Sequence, residues 1–231
     1  MPLSLVRFYI NGAAWVADLT RPAVLARPVA FEGDRETWMG AHPAGSEPMR
    51  SGDFVGSVAQ GGPVNAAVLT LTPHGNGTHT EGIGHITRRA DPVRVPAAPL
   101  PASLVTPRGD LVAALDRAES GFLEAVVLRT GAQPLDPDHM RTLLKAGVRH
   151  LIVEAPSVDP EDDGGALLAH RAWWGVEPSG TATHSPRTIT ELAAIPASLA
   201  DGPYLLNLQV PALETDAVPS RPILYPVVRS R

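Results

Sequence analysis

The stretch His74-Gly75-Asn76-Gly77-Thr78-His79-Thr80-Glu81-Gly82-Ile83-Gly84-His85 gathers three histidines and a glutamate into twelve residues. The chain has eight histidines in 231 residues, which if spread evenly would place about 0.4 in a window of this length. Imidazole nitrogen and carboxylate oxygen are ligands for first-row metals, and the same groups carry protons in acid–base catalysis. His79 and Glu81 stand two apart, so an extended backbone points both to one side. Gly75, Gly77, Gly82 and Gly84 permit the chain to curl so that ligands converge, and Thr78 offers a hydroxyl that can orient a neighbour. One such histidine is more often a polar loop residue, but three with a glutamate at this spacing point to a metal or acid–base site. The glycines alone would also suit a phosphate loop, but the Walker lysine and the Ser/Thr after it are missing.

Upstream, residues 63–72 read as a strand that delivers the chain to His74, and residues 13–19 as a first strand. Between them, residues 20–62 form a long Pro- and Gly-rich segment of little periodicity. Downstream, the prolines of residues 91–108 imply an extended or looped course. A more regular alternation follows: a helix from Asp110 to Ala118, then a buried strand at 123–129. A second helix opens at Asp136-Pro137 and stops at Gly147, a strand covers 149–154, and a helix lies near 164–173. Late strands fall at 205–210 and 223–228. This order predicts a single α/β or α+β domain over residues 1–231.

Composition narrows the function classes. Apolar residues make up 44% and charged residues 19%, enough for a real core. A net charge of −5 without a basic run argues against nucleic acid as a partner. The absence of cysteine excludes disulfides, zinc–thiolate sites and a thiol nucleophile, so any transition-metal site uses histidine, carboxylate and water. No signal peptide is evident and no apolar run approaches the roughly 18 residues of a membrane span, which predicts a cytoplasmic protein.

The segment Gly77-Thr78-His79-x-Glu81-x-Gly-x-His85 resembles the signature His-x-Gly-Thr-His-x-Asp-x-Pro-x-His of the metal-dependent cyclases and hydrolases that include bacterial kynurenine formamidase and isatin hydrolase. Glu81 stands where the family has Asp, and His74 lies five residues before His79 where the family spacing is four. Further segments match in order: Asp18-Leu19-Thr20 with Pro22, Arg129-Thr130-Gly131, Glu154-Ala155-Pro156-Ser157-Val158-Asp159, His170, and Ile189-Thr190-Glu191-Leu192. The likeness covers most of residues 17–200. It implies a swivelling β/β/α cyclase-like fold with a mixed sheet or barrel-like core. It also implies one or two divalent ions, zinc or manganese, with His74, His79, Glu81, His170 and Glu191 as ligands. Glu177 is a rival carboxylate, and Glu191 is favoured for its apolar neighbours Ile189 and Leu192.

The implied reaction is hydrolysis of an amide or lactam carbonyl on a small aromatic substrate, with N-formylkynurenine the first candidate. The metal lowers the pKa of a water towards about 7 and polarises the carbonyl, while His85 takes and returns a proton as general base and acid. Phe31, Trp38, Trp174 and His184 are candidate substrate contacts. His42 sits in the early loop, His139 in the first turn of a helix and His150 before an apolar strand, where it can cap. Trp173 reads as core, and Ser157 lacks the Gly-x-Ser-x-Gly elbow of serine hydrolases. Two other functions fit the same residues: a cyclase or dehydratase of natural-product biosynthesis, and a non-catalytic metal-stabilised binding domain. The resemblance further implies a homo-oligomer, dimer or tetramer, in which an early loop completes a neighbour's pocket.

Overall fold

Asn11 and Gly12 both adopt the left-handed conformation (φ 49° and 77°) and turn β1 (Leu5–Ile10) back on β2 (Ala13–Asp18). An Asn-Gly pair with two positive φ values is the turn whose twist suits a two-residue hairpin. This computed structural model describes residues 4–89, 91–177, 179–182 and 185–230. The strand expected at 13–19 is therefore the second of a hairpin. β3 (Ala23–Val24) follows, and then a small exposed region built from β4 (Gly45–Pro48), β5 (Arg50–Ser51), β6 (Phe54–Val55) and β7 (Ala67–Thr70). β7, expected at 63–72, is exposed along its length and pairs with β4 in a two-stranded sheet apart from the main one.

After β7 come the one-turn helix α1 (Pro73–Asn76) and β8 (His79–Glu81), which carry the histidine-rich stretch. The centre of the fold is a parallel run, β9 (Leu100–Val105), β10 (Ala125–Leu128), β11 (His150–Val153) and β12 (Thr188–Glu191). It is linked by the crossover helices α2 (Leu111–Asp116), α3 (Pro137–Lys145) and α4 (Leu168–Trp174). β9 lies inside the segment expected to be extended or looped, and takes the extended course. Its second residue is Pro101, and proline density concealed a strand that is buried on both faces.

Asp110 caps α2 by accepting from the Ala113 N–H. Asp136 caps α3 in a reciprocal box with His139, with Pro137 at the first helical position. Gly147, at φ 87°, follows the C-cap. α4 begins later than expected because Asp163 accepts from the N–H groups of Gly165 and Leu167 and holds that stretch in a turn.

The last strands, β13 (Gly202–Asn207), β14 (Ala217–Pro219) and β15 (Ile223–Arg229), flank this run antiparallel. The order across the sheet is β1-β2-β15-β13-β9-β10-β11-β12-β8-β14, with β3 also on β15. Two residues beyond β3, Ala26 bridges Ala193 just past β12, so one short segment spans both sides of a curled sheet. The sheet is thus mixed, with a barrel-like interior filled by Leu25, Leu104, Val127, Ile152, Leu206 and Leu224. The other face packs Val126, Leu128, Leu151 and Val153 against Met140 and Leu143 of α3 and Trp173 of α4. Each such fully buried side chain contributes about 1.5–3 kcal/mol. Among the described residues no helix is long and apolar enough to cross a membrane.

His150 opens β11 as a buried residue, its Nδ1 2.9 Å from Thr188 Oγ1 on β12. Burial, aided by the neighbouring Arg149 charge, lowers its pKa to about 4. The unfolded chain therefore binds a proton here before the folded chain does. The stability from keeping His150 neutral is complete above about 6.5 and lost as pH falls from there towards about 4. Urea unfolding of wild type and His150→Leu across that range should show the variant losing stability less steeply, by up to about one proton's worth of slope. Parallel profiles would contradict this.

Candidate metal centre

β8 is the scaffold of the site. It lies between β12 and β14, with His79 opposite Glu191 and Pro219, and Glu81 opposite Ile189 and Ala217. His79 and Glu81 project to one side of the extended backbone. Thr80, on the other side, meets Thr190 hydroxyl to hydroxyl at 2.7 Å. The Thr78 hydroxyl donates to Leu192 O (2.6 Å) and accepts from the Arg27 N–H (2.7 Å), tying β8 to the end of β12 and to the early segment.

His74 reaches the same place from α1, a single helical turn. Gly75 is required there by close approach, because a Cβ would lie 2.2 Å from Ala41 Cβ and 2.7 Å from Trp38 O. At Gly77 a Cβ would press on Val29 and Arg27 O at 3.1–3.2 Å. None of the four glycines of the stretch has the left-handed φ that would explain a curl, so proximity, not backbone freedom, accounts for Gly75 and Gly77. His85 follows on a short 3-10 turn, Ile83–Ile86.

Glu81 is the hub and has no exposed surface. Its Oε1 is 2.9 Å from His170 Nε2; its Oε2 is 3.1 Å from His74 Nδ1 and 3.7 Å from His85 Nε2. The His74 contact lacks hydrogen-bond alignment, so among the described residues Oε2 has close basic neighbours but no aligned donor. His79 Nε2, 3.4 Å from Glu191 Oε2, is likewise buried without a hydrogen-bond partner among the described residues. Among the described residues, two donor sets have mutually close ligand atoms and share Glu81: His74, Glu81 and His85, and His79, Glu81 and Glu191.

The outer nitrogens and oxygens are held. His79 Nδ1 faces Gly77 O at 3.1 Å, and His170 Nδ1 faces Asp159 Oδ2 at 2.5 Å. Asp159 also accepts from the N–H groups of Ala169 and His170 at the start of α4. Glu191 Oε1 accepts from the Val158 N–H at 2.7 Å. The Trp174 ring stacks on His170 with centroids 5.6 Å apart. Bonds of this kind fix ring orientation and leave the inner nitrogen aimed at the centre.

Charge is balanced within the cluster. Burial opposes ionisation of Glu81, but His85, His170 and His74 hold its carboxyl well below the usual range. Burial likewise pulls His74 down, and Glu81 and Asp216 override it to raise its pKa to about 9. His170 is raised for the same reason by Glu81 and Asp159, against its own burial. His85 is lowered, because burial outweighs the attraction of Glu81.

The structure thus brings His74, His79, Glu81, His85, His170 and Glu191 together. Glu177 is exposed beyond α4, with its backbone engaged to Thr181. Trp174 is buried and donates to Arg187 O, so it braces His170 and does not face an open pocket. Trp38 donates its backbone N–H to Gly75 O and lines a cavity of about 290 Å³ with Arg27, Asp34 and Asn76. Phe31 is half-buried on the same loop, and His184 lies outside the described residues. His42 is exposed, its carbonyl accepting from Asn76.

Two acids are additions to the set expected from sequence. Asp159 orients His170, and Asp216 lies 3.1 Å from His74 Nε2 and 3.6 Å from His85 Nδ1. Asp159 was in view as part of the Pro-Ser-Val-Asp segment. Asp216 follows Thr215 in a segment with no pattern to mark it.

No protein-family model matches the chain. Solved structures do. One described as a potential metal-dependent hydrolase with cyclase activity superposes with a TM-score of 0.60 at 16% identity, over 89% of this chain and 100% of its own. A predicted metal-dependent hydrolase from Bacillus stearothermophilus gives 0.61 at 15% identity, over 89% and 98%. Isatin hydrolase A from Ralstonia solanacearum gives 0.55 at 15% identity, over 90% and 92%. At these identities the likeness establishes the fold, which is the cyclase-like one.

Protonated His74 and His170 must release their protons to bind a cation. Because both are raised, affinity should climb as pH rises from 6.5 towards 9. At pH 7.5 about one proton or more should be released per ion bound. Chelator competition with zinc across that range measures it, and a flat profile would contradict the assignment.

Proposed function

We propose that this chain is a metal-dependent hydrolase that cleaves an amide or lactam C–N bond on a small aromatic substrate, with N-formylkynurenine the first substrate to try. The observation that carries the reading is a pair of buried atoms without an aligned hydrogen bond among the described residues, His79 Nε2 and Glu81 Oε2, facing a centre ringed by further imidazoles and carboxylates. Unpaired polar atoms in so buried a place are costly unless something binds them. His74, His79, Glu81, His170 and Glu191 would hold the ion or ions, zinc or manganese suiting a nitrogen and oxygen donor set. Such an ion supplies Lewis-acid polarisation of a carbonyl and acidifies a water.

The chain's own groups do the rest. Gly77 O and Asp159 keep His79 and His170 aimed inward, and the Val158 N–H fixes Glu191. His85 is half-buried at the rim, its Nε2 directed to Glu81, where it can take a proton from the attacking water and pass it to the leaving nitrogen. Phe31 and Trp38, on the segment leading to α1, are the aromatic surfaces assigned to the substrate ring. A cyclase using the same residues is the second reading, favoured by the cyclase activity attributed to one of the similar structures.

The test is metal analysis of protein purified without chelator, with turnover of N-formylkynurenine and isatin by wild type and His85→Ala. One or two ions per chain are expected. His85→Ala should keep its metal and lose about 10²–10⁴-fold in kcat. Loss of metal in that variant would make His85 a ligand instead. Absence of metal, or unchanged turnover, would overturn the reading. Metal-dependent stability with no turnover would identify a binding domain, and ring closure of an open-chain amide would identify the cyclase.

A further inference from the structure

Asp216 stands immediately before β14, on the strand that borders β8 on the side away from β12. Its carbonyl accepts from the Gly82 N–H at 3.0 Å, which fixes its backbone beside the residue that follows Glu81. Thr215 Oγ1 donates to its Oδ1 at 3.0 Å, and the Thr215 carbonyl is itself held by the Val93 N–H. The remaining oxygen, Oδ2, is thereby directed at two imidazoles: 3.1 Å from His74 Nε2 and 3.6 Å from His85 Nδ1. The opposite nitrogens of the same rings, His74 Nδ1 and His85 Nε2, both lie nearest one atom, Glu81 Oε2, at 3.1 and 3.7 Å. The rings are side by side, centroids 4.2 Å apart and tilted by 32°. Two imidazoles are thus strung in parallel between a buried carboxylate at the centre and a partly exposed one at the rim.

We propose that Asp216 is a positioning residue shared by a metal ligand and the proton carrier: through one oxygen it sets both His74 and His85 with N–H outward and lone pair inward. A carboxylate only accepts hydrogen bonds, and each ring has one facing either nitrogen. The aligned contact of His74 Nε2 with Asp216 Oδ2 places that ring's hydrogen outward. His85 Nδ1, at 3.6 Å, lies just beyond hydrogen-bond range of the same oxygen. A cation held on Glu81 would leave Asp216 as the acceptor open to both rings. In a neutral imidazole the other nitrogen then has the lone pair, which is the form that binds a metal or takes a proton. His79 and His170 each have their own outer acceptor, Gly77 O and Asp159, whereas His74 and His85 share Asp216. One side chain therefore couples the metal site to the acid–base step. The inference rests on the metal-hydrolase reading for the role of His85, and its test separates the two.

The experiment uses zinc-loaded full-length chain carrying Asp216→Asn, Asp216→Ala or Asp216→Glu. It reads zinc affinity by chelator competition, kcat and KM on N-formylkynurenine at saturating zinc, and the ¹⁵N shifts of the histidine rings. For Asp216→Asn and Asp216→Ala, zinc affinity should fall about 10–100-fold, and kcat at saturating zinc should fall by about the same factor with KM little changed. Wild type should show hydrogen on His74 Nε2 and His85 Nδ1, both variants should show mixed tautomers at these two rings, and Asp216→Glu should recover much of each loss. Wild-type affinity and kcat with only a lower melting temperature would make Asp216 structural and overturn the proposal. A loss of affinity with unchanged kcat at saturating zinc would confine it to His74 and overturn the shared role. If wild type turns over no amide or lactam, the hydrolase reading fails, while zinc affinity and the ring tautomers still decide whether Asp216 sets both histidines.

Discussion

A carboxylate with no exposed surface, Glu81, is the constraint on which the rest of the site depends. An isolated buried carboxylate is too costly to remain ionised, so a fold that encloses one must surround it with positive or hydrogen-bonding groups. Here His74, His85 and His170 converge on its two oxygens, and each of those rings is in turn turned towards an acid, Asp216 or Asp159. The cluster alternates acid and base from rim to rim. Removing one member leaves another buried charge uncompensated, so the network is collective, and pairwise worth cannot be assigned to its bonds.

The sheet explains how so many polar groups meet. β9 to β12 run parallel, and the chain leaves β11 and β12 at the same edge, which delivers Asp159 and Glu191 to one place. β8, inserted antiparallel beside β12, brings His79 and Glu81 to that edge, and α4 adds His170. Ligand sites of open α/β sheets lie beyond such strand ends. Two non-glycine residues here have left-handed backbone, Leu192 directly after Glu191 (φ 55°) and Leu167 at the start of α4 (φ 49°). Leu192 is locked by bonds to Ala155 and Thr78, so the local strain serves to point Glu191 and its strand end into the centre.

Much of this was legible in the sequence because the signals were local. The i, i+2 spacing of His79 and Glu81 encodes a common side once the backbone is extended, and Asp136-Pro137 encodes a cap. Ordered segments further along the chain proved to interlock: Arg129 donates to Pro196 O and Leu199 O, and Glu154 accepts from the Gly131 N–H. Less legible were features set by tertiary contact. β9 hid behind its prolines, the strand before His74 formed as β7 but outside the main sheet, and Gly75 and Gly77 of the histidine loop serve close packing and not a bend. Asp216 could not be seen at all, because only the β8–β14 pairing carries it from position 216 to within reach of His74.

The central claim is that a divalent cation belongs between His79 and Glu81. Anomalous diffraction from crystals grown with zinc, recorded on either side of the zinc edge, tests it most directly. The account predicts a peak at bonding distance, about 2.0–2.2 Å, from His79 Nε2 and a Glu81 oxygen, with any second peak sharing Glu81. Zinc found only at an exposed histidine such as His42, with the Glu81 centre empty, would contradict it.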